Sequence, residues 1–149
     1  MPRVLIIEAR FYDHINDGLL AGAREVLDAK GVAYEVLTLP GILEIPAALK
    51  MVVTAAEQGN GKCRYDGYVT LGCAIRGESD HYDHVSTECY RGQNDLAMAY
   101  ELALGSGVLT VHNEAQALNR SDPKRKNLGG QAARACVRMM QVKKDMGLA

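Results

Sequence analysis

Tryptophan is absent from this chain and phenylalanine occurs once, leaving aromatics at 5% of the 149 residues. A core built here must come from aliphatic side chains. The lone ring, Phe11, lies among charged residues rather than in an apolar run, which asks for a functional explanation. Four cysteines form no C-x-x-C pair and no regular spacing, against a zinc ribbon or a secreted disulfide framework. They suit a reduced, cytoplasmic protein. No stretch approaches the roughly 20 apolar residues of a membrane span, and no signal or transit pattern is expected, because Arg3 already opens a strand pattern. Charge of neither sign is in excess: 17 basic and 18 acidic residues are interspersed for a net of −1. That balance speaks against a nucleic-acid or membrane-surface partner. Repeats, low-complexity tracts and linkers are also missing, so residues 1–149 read as a single domain.

What is present alternates. Residues 3–8 form an aliphatic run, followed by a helical pattern from about Asp13 to Lys30 with Ile15, Leu19, Leu20, Ala23, Val26 and Leu27 on one face. Gly31 stops it. A second strand is expected at 33–39, closed by Pro40-Gly41, and the segment Ile42 to Pro46 turns the chain into a second helix reaching about Glu57. Residues 58–64 are polar and Gly-containing, a surface loop. A third strand opens at Tyr68, with a loop from Gly72 to Gly77 and a long helix from about His81 to Leu104. Gly105-Ser106-Gly107 leads to a fourth strand at 108–111, then come a short helix toward Asn119, a charged turn from Arg120 to Gly130 and a final helix at 131–146. Buried strands alternating with helices of 10–20 residues predict a three-layer α/β/α sandwich around a four-stranded parallel, flavodoxin-like sheet. Ligands of such sheets collect at the carboxyl ends of the strands. The loops there hold the unusual residues: Phe11, Glu44, Arg76 with Gly77, and His81.

The stretch Tyr68–Val85 organises the rest. A glycine-bearing loop between a strand end and a helix start offers free backbone N–H groups and a positive dipole end, a ready anion site. His81 stands one residue into that helix, within reach of whatever binds. Each residue also has a plainer explanation. His81 suits an exposed helix start, and Glu44 suits a helix first turn on dipole grounds alone. Arg120 and Lys124 at i, i+4 suit a solvated basic turn. His81, His84 and Glu88 at i, i+3, i+7 share roughly one helix face, but no fourth metal ligand accompanies them and His84 is expected where the helix meets its neighbours. The Gly72–Gly77 segment matches neither a Walker loop nor a dinucleotide fingerprint. A receiver-like domain is also a poor match, for it wants an acidic pair after the first strand and an aspartate ending the third. Pattern alone reaches a phosphate-ligand-binding α/β domain.

Taken together, Ala9-Arg10-Phe11, Pro40 to Pro46 (PGILEIP), Gly72 to Asp83 (GCAIRGESDHYD) and Leu109-Thr110-Val111 with its short helix and Arg120 resemble the signature loops of the 6,7-dimethyl-8-ribityllumazine synthases, in order and over essentially the whole chain. The resemblance implies condensation of 5-amino-6-(D-ribitylamino)uracil with 3,4-dihydroxy-2-butanone 4-phosphate, releasing phosphate and water, in riboflavin biosynthesis, with no cofactor and no metal. It implies that Phe11 stacks on the pyrimidine, that Ile42, Leu43 and Glu44 line the ribityl chain, and that Cys73, Ala74 and Ile75 meet the uracil edge through their backbone. Glu78 and Ser79 would hold the phosphate with Arg120, and His81 would be the acid/base. It further implies sites shared between neighbours of a homopentamer, Ser106 and Arg120 crossing the interface, and a hand-over of product to riboflavin synthase. A weakly or non-catalytic lumazine- or flavin-binding relative is the alternative. The chain departs from the common pattern at Leu43 and Ser106, where aromatics are frequent, and at Glu78, an acid beside the implied phosphate. Lys124-Arg125-Lys126-Asn127 replaces the Lys-Ala-Gly-Asn turn of many shell-forming members, which favours a free pentamer.

Overall fold

The computed structural model describes residues 2–77 and 80–148. Four strands, β1 (Arg3–Ala9), β2 (Ala33–Leu39), β3 (Gly67–Ile75) and β4 (Leu104–Val111), form one all-parallel sheet in the order β2-β1-β3-β4. The helices are α1 (Asp13–Ala29), α2 (Ile45–Glu57), α3 (His81–Tyr100), α4 (Glu114–Ser121) and α5 (Leu128–Asp145), with 3-10 turns at Ile42–Glu44 and Gly61–Cys63. This is the three-layer sandwich that the alternation predicted.

Alternation along each strand sorts the core into two halves. Val4 and Ile6 of β1 and Val69, Leu71 and Cys73 of β3 pack with Ile15, Leu19 and Leu27 of α1, Ala117 of α4 and Ala132, Ala133 and Cys136 of α5. The intervening residues Leu5, Ile7, Tyr68, Ala74 and Val108 pack beneath α2 and α3 with Ile45, Leu49, Val53 and Cys89. Both faces of the two central strands are covered, which is why β1 and β3 are buried almost throughout and read as largely apolar runs. Each fully buried Leu or Ile contributes roughly 1.5–3 kcal/mol.

Three glycines expected in loops lie inside strands. Gly72 is in the middle of β3, where an added Cβ would stand 2.7 Å from Ile42 Cγ2 and 3.3 Å from the Ala9 Cβ. Gly105 and Gly107 are in β4, where α5 backbone presses directly on the sheet. Close approach, not a turn, selects glycine at these sites. Helix α3 stops four residues short of the expected Leu104, because Leu104 already pairs with Tyr68 in the sheet. Arg120 lies in the last turn of α4 rather than in a loop, and α5 begins at Leu128 with Asn127 capping it by accepting from the Gly130 N–H at 3.1 Å. The expected loop at 58–64 contains a 3-10 turn whose Lys62 N–H donates to Asn60 Oδ1.

All four thiols are free. Burial pushes Cys73 and Cys136 up to about 12 and Cys89 up to about 11, so near pH 8 these three stay protonated and unreactive. Cys63, half-buried in the 3-10 turn, should therefore be the position iodoacetamide labels first in the folded protein at pH 8. Intact and peptide mass spectrometry would read this, with further label appearing only on denaturation.

Candidate active site

Three loops leave the sheet at its carboxyl edge and meet. The turn after β1 carries Phe11 and Tyr12, the segment after β2 carries Pro40 to Glu44, and the end of β3 carries Cys73, Ala74, Ile75 and Gly77. Together with His81, Tyr82 and Val85 from the first turns of α3 they enclose a cleft of about 460 Å³. That volume suits a drug-sized or bicyclic ligand.

The walls differ in kind. Phe11 is 72% exposed, with its ring edge-to-face on Tyr12 at 4.9 Å between centroids. A ring so bare is a stacking platform rather than a core residue. Ile42 is buried beneath the cleft while Leu43 and Glu44 stand exposed in the same 3-10 turn. Cys73 and Ala74 are buried strand residues that reach the cleft floor, where Cys73 stays a neutral thiol. His81 is exposed at the first position of α3, one residue before Tyr82, over whose ring the Arg76 guanidinium lies at 5.9 Å.

Of the positions singled out from sequence, Phe11, Ile42, Leu43, Glu44, Cys73, Ala74, Ile75 and His81 line this one cleft. Ser106 and Arg120 do not. Ser106 is exposed on β4, where its Oγ accepts from Thr70 Oγ1 at 3.0 Å, and Arg120 on α4 donates to the Gln116 carbonyl at 3.4 Å. Glu78 and Ser79 lie outside the described residues. His84 is exposed on α3 rather than set where helices meet, and among the described residues no three His, Cys, Asp or Glu converge as a metal ion requires. Sequence reasoning gave no role to Tyr12, Tyr82 and Val85, which also line the cleft. Val85 was open to discovery, since it stands one helical turn beyond His81 on the same side. Tyr12 had no such signal, because its place follows from the shape of the turn.

An open parallel sheet with a largely apolar cleft at its strand ends, bordered by a bare aromatic, a carboxylate and an imidazole, is the arrangement of a small-molecule α/β enzyme. Comparison makes the class specific. The family model of 6,7-dimethyl-8-ribityllumazine synthase matches residues 1–144, and the chain belongs to that family. The 6,7-dimethyl-8-ribityllumazine synthase of Paramagnetospirillum magneticum is 76% identical over 148 residues, covering 99% of each chain. That of Afipia carboxidovorans is 50% identical over 97% of this chain and 87% of its own. The protein named 6,7-dimethyl-8-ribityllumazine synthase 1 in Rhizobium meliloti is 47% identical, over 97% and 93% respectively.

Proposed function

We propose that this chain is a 6,7-dimethyl-8-ribityllumazine synthase, acting in riboflavin biosynthesis as one domain spanning residues 1–149 and without a cofactor. The observation that carries the reading is the shared cleft: a stacking ring, a carboxylate and an imidazole from three strand-end segments of a chain 76% identical to a synthase of that name. Phe11 stacks on the pyrimidine ring of 5-amino-6-(D-ribitylamino)uracil. Ile42, Leu43 and Glu44 run along the ribityl chain, Glu44 accepting from its hydroxyls, while the backbone of Cys73, Ala74 and Ile75 meets the uracil edge. The chemistry then has a natural sequence. The 5-amino group adds to the ketone of 3,4-dihydroxy-2-butanone 4-phosphate, and water leaves to give an imine. Phosphate is eliminated, and the ribityl-bearing nitrogen closes the second ring with loss of another water. Each step moves a proton, which is the task of His81. Holding two small reactants in register supplies much of the remaining acceleration.

The phosphate falls to Glu78 and Ser79, through main-chain N–H groups and the Ser79 hydroxyl, and to Arg120. The positions of Ser106 and Arg120 away from the cleft of their own chain support a homopentamer in which each serves a neighbour's site. Lys124 to Asn127 favour five subunits over a larger shell. Free thiols fit a cytoplasmic setting, and among the described residues no helix is long and apolar enough to cross a membrane. The product would pass to riboflavin synthase.

The assay is direct. Purified protein should turn the two substrates into the fluorescent lumazine with stoichiometric phosphate, above the spontaneous rate, and no rate above that background would leave a binding protein only. Arg120→Ala should raise KM for the phosphorylated substrate by about tenfold to a hundredfold, the loss of one charge-assisted hydrogen bond worth roughly 1.5–3 kcal/mol. KM for the pyrimidine should move by less than about twofold.

A further inference from the structure

Glu8 is a carboxylate at the penultimate position of an aliphatic strand, near its carboxyl end, and only 3% exposed. Val4 and Ile6, on the same side of β1, show what that face ordinarily needs. A buried charge there requires partners, and Glu8 has three: Arg10 Nε donates to its Oε1 at 3.0 Å, Asn16 Nδ2 to the same oxygen at 3.0 Å, and Thr38 Oγ1 to its Oε2 at 2.6 Å. Arg10 extends the network, its Nη1 reaching Asp17 at 2.8 Å and Asp13 at 3.2 Å, which holds the guanidinium firmly charged.

The partners are the informative part. Arg10 and Asn16 bracket Phe11 and Tyr12, so the turn that carries the ring is clamped at both ends. Thr38 stands two residues before Pro40, where the opposite wall of the cleft begins. One carboxylate therefore joins the bases of two cleft walls. Phe11 is 72% exposed, and among the described residues the ring it meets is the edge of Tyr12, so the direction of its ring depends chiefly on the backbone beneath it. We propose that Glu8 is a positioning residue, whose carboxylate fixes the Phe11 turn against the Pro40–Glu44 segment and so sets affinity for the pyrimidine substrate. The inference rests on Phe11 being the pyrimidine platform.

Four variants test it, each assayed for both KM values, kcat, melting temperature and binding of the lumazine product followed by its own fluorescence. Glu8→Leu keeps the shape and removes the acceptor. It should raise the pyrimidine KM and the product Kd about tenfold, with the KM of the phosphorylated substrate within about twofold. Glu8→Gln can still accept from Arg10 and Asn16 while Thr38 reverses its hydroxyl, so it should recover most of that loss. A folded Glu8→Leu with wild-type pyrimidine KM overturns the proposal, as does an equal rise in both KM values that follows the fall in melting temperature. If Glu8→Leu does not fold, Thr38→Val removes the β2 link alone and should raise the pyrimidine KM about threefold, an unchanged value overturning the proposal. Phe11→Ala separates the two levels: no change there sinks the platform itself, whereas a rise there with an unmoved Glu8→Leu sinks only the role of Glu8.

Discussion

His81→Ala should lower kcat on the order of a hundredfold while the pyrimidine KM stays within about threefold of wild type, the lower end of what a positioned acid/base supplies. A hundredfold is about 2.7 kcal/mol of transition-state stabilisation. The split follows from geometry. His81 enters the cleft from the first turn of α3, whereas the aromatic platform and the residues along the ribityl path come from the segments after β1 and β2. Removing the imidazole leaves those surfaces intact. Addition, dehydration, elimination and ring closure all transfer protons, and imidazole is the side chain that ordinarily changes charge near neutral pH. The remaining rate would come from two reactants held side by side, and it should still exceed the spontaneous condensation. Steady-state kinetics at saturating pyrimidine, with phosphate release as a second readout, would decide. A variant that kept full kcat would remove His81 from the chemistry and leave water or substrate groups to carry the protons. A rise in pyrimidine KM with unchanged kcat would instead make it a binding residue.

The sheet was legible because parallel strands covered on both faces cannot hide their aliphatic runs. Val4 to Ile7 and Val69 to Leu71 announce themselves, and the helical stripe from Ile15 to Leu27 does the same. Glycine was where the reading erred. Gly72, Gly105 and Gly107 look like loop residues along the chain, and only the third dimension shows Ile42 or the α5 backbone lying against them. Much of the cleft was visible through residues that stand out along the chain: a phenylalanine outside any core run, and a histidine opening a helix behind a glycine-bearing loop. Tyr12 was not, nor was the part played by Glu8. A lone carboxylate inside β1 has no periodic partner in sequence, since Asn16 and Thr38 meet it only when α1 and β2 have docked on either side. Ser106 and Arg120 are the opposite case: resemblance alone implied them for the site, and neither lines the cleft of its own chain.

The same glycines give the largest expected effect on stability. Gly105→Ala should destabilise the fold by about 3 kcal/mol or more, the upper range for overpacking, because the new Cβ would lie 1.8 Å from the Ala132 carbonyl oxygen and 2.8 Å from the Cys136 nitrogen. Neither neighbour can rotate away. Both are backbone of α5, held by the helix and by Ala132, Ala133 and Cys136 packed in the core. Relief requires α5 to lift from β4, which would strip contacts along the whole helix. Gly129→Ala should behave alike from the α1 side, where its Cβ would meet the Leu19 carbonyl oxygen at 2.0 Å. Gly61→Ala is the control, with no atom within 4 Å and an ordinary backbone angle, and it should fall within about 0.5 kcal/mol of wild type. Urea unfolding at one fixed protein concentration would compare the three, since association of subunits would otherwise shift the midpoints. If Gly105→Ala unfolded with the midpoint of Gly61→Ala, α5 would have room to move off β4, and the tight seating of that helix on the sheet would be wrong.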